Sequence, residues 1–285
     1  MQVGIALAVV AALIGNLASL FKHRGCQFAE PVRIQRPLRS ARRLARSPWF
    51  AAGWILAALA WLIHVAALSL APISLVQAVL AGGAVTLAVM AQRVFGDPVE
   101  PRQWLALLLG GAGLALLVLT VPNFHGSHSG FEVGAILGFE GGLALLGAGL
   151  VLGHRSERLA DHSHVLLAAI AGVLFALAGI AIKGLTGADV GLALLVPWLL
   201  FVVVTGVLAQ YTAATALQRG GAIETIGLMG LIASAAQIVG GVIVFGDPLS
   251  TSPLGLVLQA SAFAMVCASA LLIPARRDAV APLAA

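Results

Sequence analysis

The chain has 285 residues, 60% of them hydrophobic and 9% charged, with a formal net charge of +5. Soluble domains are about 45–50% apolar and about 25% charged, so a water-soluble core cannot absorb this excess. With a mean hydropathy of +1.04, the composition excludes an ordinary soluble domain and predicts an integral membrane protein. Two cysteines, Cys26 and Cys267, support neither a disulfide framework nor a thiolate metal site.

A bilayer core of about 30 Å requires about 20 apolar residues in a helix. That ruler yields nine expected spans: 2–22, 50–70, 72–95, 102–121, 133–153, 164–184, 192–212, 221–246 and 252–273. Helices are the default, because backbone polar groups in lipid must be satisfied within the segment. The first span lacks a basic leader and a small-residue cleavage site, and reads as a retained helix. The breaks carry turn chemistry, as in "LAPIS" at 70–74 and "PNFHGSHSG" at 122–130. With nine spans, 15 of the 16 Lys and Arg residues fall on one side, and Lys183 alone on the other. Dropping a span would scatter the later arginines. The bias predicts a cytoplasmic C-terminus and an external N-terminus in the cell's inner membrane. The pI of 10.2 therefore reports topology, and no nucleic-acid partner is expected.

The string "VFGDP" occurs at 94–98 and again at 244–248, each time at the end of an apolar span and before another. Residues 72–98 and 222–248 align at an offset of 150 without a gap and share Ile73/Ile223 and Val89/Val239. Five spans separate the copies, so they lie on opposite faces, the signature of an inverted-topology repeat. The alternative is two unrelated helix stops, for which Asp followed by Pro suffices. Asp97 and Asp247 are read as turn-shaping residues.

The stretch "ALSLAPISLVQAVLAGGAVTLAVMAQRVFGDPVEPRQWLALLLGGAGLALLVL" (67–119), with its second copy over 215–272, resembles the drug/metabolite transporter superfamily of EamA-like proteins. The nine spans and "SPWFAAGW…APISLV" are most similar to its NIPA-type magnesium transporter branch. The resemblance implies an all-α polytopic fold in two inverted repeats, usually five helices plus five. Here the count is four plus five: residues 1–122 with a basic loop, 23–48, in place of the helix expected second, then residues 123–285. The Gly-acid turn carries Asp, where the family more often has Glu. The resemblance implies transport of a small solute by alternating access, with a divalent cation such as magnesium or a lipid-linked carrier as the alternatives. No cofactor is implied. No nucleophile–base constellation is present, so an enzyme is not expected.

Polar groups inside a bilayer are costly and mark function by default. Glu140, seven residues into its span, lies about 10 Å deep at about 1.5 Å per residue. It reads either as a proton or cation site, or as a structural acid, hydrogen-bonded into a helix contact or paired with Lys183, itself read as an interface residue. The spans 72–95 and 221–246 carry small-residue stripes, Gln77, Ala81, Ala84, Ala88 and Ala91 against Gly227, Gly230, Ser234, Gln237 and Gly241. Close packing explains such stripes; a glutamine in each does not follow from packing, and the resemblance implies that these helices line the central path. Trp54, Ala57, Trp61 and His64 share a face that could wall a cavity. Gln210, Tyr211 and Asn16 complete the candidates. Glu224, beside Arg219, is a favourable first-turn acid. The His pairs in 125–130 and 161–165 are weak metal sites. Residues 33–49, with Arg39, Arg43 and Arg46 at helical spacing, could lie on anionic lipid at about 1 kcal/mol per basic residue. The expected partners are thus a small-molecule or ion substrate and the lipid bilayer.

Overall fold

The structure, a computed structural model, describes residues 2–30, 37–96, 99–120, 130–155, 162–186, 192–247 and 249–272. The chain order is α1 (Gln2–Gln27), α2 (Pro37–Ala45), α3 (Pro48–Leu70), α4 (Ile73–Gly82), α5 (Ala84–Met90), a π-helical turn (Ala91–Phe95), α6 (Pro101–Thr120), α7 (Val133–His154), α8 (Ser163–Leu185), α9 (Leu192–Arg219), α10 (Ala222–Phe245) and α11 (Pro253–Leu272). No strand occurs among the described residues. Seven helices there are long and apolar enough to cross a membrane: α1, α3, the run Ile73–Phe95, α7, α8, α9 and α10. The molecule is a polytopic, all-α membrane protein.

The run Ile73–Phe95 is one span, as expected, with a local irregularity: at Gly83 (φ −61°, ψ −13°) the helix tightens, yet its N–H still bonds the Val79 carbonyl and its own carbonyl accepts from Leu87. One feature departs from the sequence expectation. The basic stretch 23–48 is not only a loop: α1 extends to Gln27, and α2 occupies 37–45. In α2, Ser40 and Leu44 are buried one turn apart, while Arg39 and Arg42, and Arg46 just after the helix, are exposed. Helical spacing separates the two sets, so this short helix presents an arginine face.

α8 and α10 form the centre, with 72% and 61% of their spans buried, against 11% for α7 and for α9. The outward faces of α7 and α9 carry Leu137, Leu145 and Leu146, and Val196, Leu200, Val203 and Val207, all exposed. In water such a surface would aggregate; in lipid it is the solvated surface. α1 packs on α3, α8 on α9, α6 on α11, and α4 on α10.

α1 and α3 approach closely because α3 presents Gly53, Ala60 and Ala67 as its buried face. A Cβ at Gly53 would stand 2.8 Å from the Ala18 carbonyl oxygen and 2.9 Å from the Lys22 backbone nitrogen. We expect Gly53→Leu to cost about 1–3 kcal/mol through overpacking, read as a lower melting temperature in detergent. Gly138→Leu is the control, since a Cβ there meets nothing. Equal melting of the two variants would contradict the packing described.

Contacts fix which helix ends share a side. At one end, His23 Nε2 lies 3.4 Å from the Gly220 carbonyl, Arg219 donates to Ser163, and Phe21, Trp49 and Phe95 stack together. Arg24 lies over the Trp49 ring, and Arg43 pairs with Glu30. At the far end, Phe131 packs on Trp198 and Phe245, and Lys183 and Asp247 meet the α3–α4 turn. Lys183 is the one described basic residue placed at that far end.

Both "VFGDP" strings end a helix in the same way. Gly96 (φ 72°) and Gly246 (φ 63°) are left-handed, and each donates its N–H five residues back, to Ala91 and Gly241. Only glycine adopts this conformation cheaply. Asp97 lies outside the described residues. Asp247 does shape its turn: its backbone N–H also bonds the Gly241 carbonyl, at 2.9 Å.

Candidate functional site

Near the middle of the run Ile73–Phe95 the helix is irregular at Gly83, where the backbone bonds continue. α1 adds side-chain bonds there. Asn16 Nδ2 donates to the Gly83 carbonyl at 2.6 Å and to Thr86 Oγ1 at 3.0 Å, and Thr86 Oγ1 donates to the same carbonyl. A Cβ at Gly83 would strike Ala12 and approach Asn16, so glycine makes the contact possible. Asn16 therefore sits at the irregular turn, a placement its sequence context did not single out.

Six residues toward the far end, about 9 Å at about 1.5 Å per residue, the two stripe glutamines meet. Gln77 Nε2 donates to Gln237 Oε1 at 2.8 Å, and Ser234 Oγ donates to Gln77 Oε1 at 3.3 Å. All three residues are buried. The Gln237 carboxamide lies against α8 at Gly179, where any Cβ would overlap it. Interhelical hydrogen bonds of this kind contribute about 0.6–2 kcal/mol each in membranes. Gly82, half-buried, and Gly230, exposed, have open space, as a Cβ at either meets nothing within 4 Å. Gly82 is five residues from Gln77 and Gly230 four from Ser234, so in antiparallel α4 and α10 they share a depth, about 6–8 Å from the trio at about 1.5 Å per residue.

At the far end the α3–α4 elbow is gripped by two charges. Lys183 is fully buried, and its Nζ donates to the carbonyls of Leu68 at 2.6 Å and Ala71 at 3.0 Å, the last acceptors of α3. Asp247 Oδ2 accepts the Ser74 N–H at 2.7 Å, one of the first donors of α4. Helix ends leave these groups unpaired, and a cation at a C-terminus and an anion at an N-terminus match the helix dipoles. The two side chains are close enough to interact electrostatically. Lys183 is thus no interface residue. α3 ends inside protein, and its carbonyls attract the ammonium inward.

Glu140 is buried, at 8% exposure, on the side of α7 that faces α8. Its Oε1 has no hydrogen-bond partner. The pairing with Lys183 does not form, because that ammonium is committed to Leu68 and Ala71. Contacts of Gly184 with Ile136 and of Gly147 with Val173 set the register of α7 on α8. Glu140 then lies level with Ile180, one residue from the glycine under Gln237.

The remaining candidates lie elsewhere. Trp61 and Trp54 are half exposed on the outward face of α3, because the glycine and alanine face is spent on α1. His64 is partly buried, with Nδ1 unpartnered. Gln210 belongs to the basic end, where its Oε1 accepts from Lys22 Nζ at 3.2 Å. Tyr211 follows it with a buried, unpartnered hydroxyl. His164 and Glu224 also pair there, at 3.1 Å. Sequence reasoning missed Lys22, counted only among topology-setting charges, and the elbow role of Asp247. Residues 121–129, with the first His pair, lie outside the described residues. No group of three or more His, Cys, Asp or Glu occurs among the described residues.

Fold and site together define a helical, membrane-embedded protein with buried polar side chains bonded between its central helices. Compared with family models, curated proteins and solved structures, the chain matches none.

Proposed function

We propose that this chain is a transporter of the drug/metabolite type that moves a small solute by alternating access through the site between α4–α5 and α10. The supporting observation is the buried polar set where α4 meets α10, with Gln77, Ser234 and Gln237 bonded to one another and the Asn16–Gly83 contact farther along the same helix. Polar side chains inside a bilayer are costly and mark substrate or ion pathways. α6 and α11 are the eighth and ninth spans, and the basic end faces the cytoplasm.

The inverted repeat relates α1, α3, α4–α5 and α6 to α8, α9, α10 and α11. Like packs on like in support: α1 on α3 as α8 on α9, α4 on α10, and α6 on α11. This reading moves the unmatched helix from the expected second position of the first repeat to α7. Glu140 then belongs to an element outside the repeat, suited to coupling the two halves to a proton or a cationic group.

Cysteine accessibility tests the path. In a protein with Cys26 and Cys267 replaced by alanine, Gly230→Cys and Gly82→Cys will react with a membrane-impermeant thiol reagent in both right-side-out and inside-out vesicles. The open space at both glycines lets the new side chains fit without unfolding. Reaction from neither side would assign the space to lipid or to packing and end the path reading.

A further inference from the structure

The chain buries two lysines, and the structure treats them in opposite ways. Lys183 is spent: two carbonyls accept from it, and Asp247 lies within electrostatic range. Lys22 is 8% exposed, and its Nζ has one neutral acceptor, Gln210 Oε1 at 3.2 Å. Among the described residues no carboxylate pairs with it, and the titratable group that acts on it is the Cys26 thiol. An ammonium has three donors, so two remain for another partner. Burying an unpaired charge costs several kcal/mol, which a structural role would not require.

Two simpler explanations fail on the geometry. A lysine near a helix end ordinarily extends its stem so that the ammonium reaches water or headgroups. Lys22 instead runs over Gly53 of α3, where a Cβ would stand 2.8 Å from its Cγ, and reaches α9. The C-terminal dipole of α1 stabilises cations only within about the last turn, and Lys22 stands five residues before Gln27.

We propose that Lys22 and Gln210 form a site for an oxyanion, the carboxylate or phosphate of a small solute, at the basic end between α1 and α9. This rests on the transport reading and narrows the substrate to anionic solutes whose remaining polar groups meet the neutral amides and hydroxyls of Asn16, Gln77, Ser234 and Gln237.

The test is thermal shift and titration calorimetry on the purified full chain in detergent. Probes are sodium phosphate and sodium acetate, against sodium chloride and choline chloride at equal ionic strength. Phosphate or acetate will raise the melting temperature where the chlorides do not. Lys22→Gln will weaken binding at least 10-fold and Gln210→Ala at least 3-fold, while Lys22→Arg and the control Arg24→Gln retain it. Should Lys22→Gln fail to fold, Gln210→Ala decides. Nanodiscs of phosphatidylglycerol against phosphatidylcholine separate a lipid source: stabilisation by phosphatidylglycerol that depends on Lys22, without any response to the free anions, would overturn the small-solute assignment. Equal melting in all salts, or equal stabilisation of wild type and Lys22→Gln, would overturn the site. Anion binding without thiol labelling at Gly230→Cys would leave this site standing and remove the path. Labelling without anion binding would do the reverse.

Discussion

Lys183→Met will destabilise the folded protein by about 3 kcal/mol. The substitution keeps the stem and its apolar contacts but removes the donors to Leu68 and Ala71. Each buried acceptor left without a donor costs about 1–3 kcal/mol. Relief from burying the ammonium opposes this loss, since buried charges carry their own desolvation cost. The loss prevails because two helix-end carbonyls are orphaned together and the Asp247 carboxylate loses its counter-charge. Asp247→Asn will cost less, as an amide oxygen still accepts the Ser74 N–H. The double variant will be more stable than the sum of the two losses, the mark of coupled groups. Unfolding in detergent by chemical denaturant measures all three. Wild-type stability in Lys183→Met would show that the elbow needs no clamp.

Glu140→Met will make the protein more stable, by about 1–3 kcal/mol, and inactive. Its Oε1 is buried without a partner, and removing an unsatisfied buried polar group recovers its desolvation cost. Methionine fills similar space against α8. Activity is lost because the carboxylate is the group proposed to exchange a proton or hold a cationic charge. Glu140→Gln separates the two effects. It retains polarity, so it melts near wild type, yet it cannot titrate and will not accumulate solute against its gradient. The measurements are melting temperature and uptake into proteoliposomes with an imposed pH difference. Lower stability of Glu140→Met would make Glu140 a structural acid, and gradient-driven accumulation by Glu140→Gln would end its coupling role.

Much was legible without coordinates. Hydrophobic runs of helical length between turn residues match a helix in each expected interval, seven of them long and apolar enough to cross a membrane, because lipid admits few other backbone solutions. A lone glutamine in each small-residue stripe was legible as a candidate, but not that Gln77 and Gln237 bond each other, which follows from the packing of α4 on α10. Gly96 and Gly246 were readable as helix stops, since a left-handed terminus selects glycine.

Other features depended on which helix lies beside which. The contact at Gly83 is written in a glycine whose partner the sequence does not show: Asn16, 67 residues earlier, donates to its carbonyl. Trp54 and Trp61 share a face as the spacing predicts, but that face turns outward because Gly53, Ala60 and Ala67 fit α1 better. Lys22 and Lys183 are the same residue type near helix ends. One turns to helix-end carbonyls and the other to a neutral amide, because α3 ends beside α8 while α9 runs beside α1. Composition and periodicity determine that this chain is a bundle of membrane helices, since the cost of exposing polar backbone to lipid is paid locally. Only the tertiary structure decides which buried charges are satisfied and which remain for a ligand, since their partners lie 112 to 188 residues away in sequence.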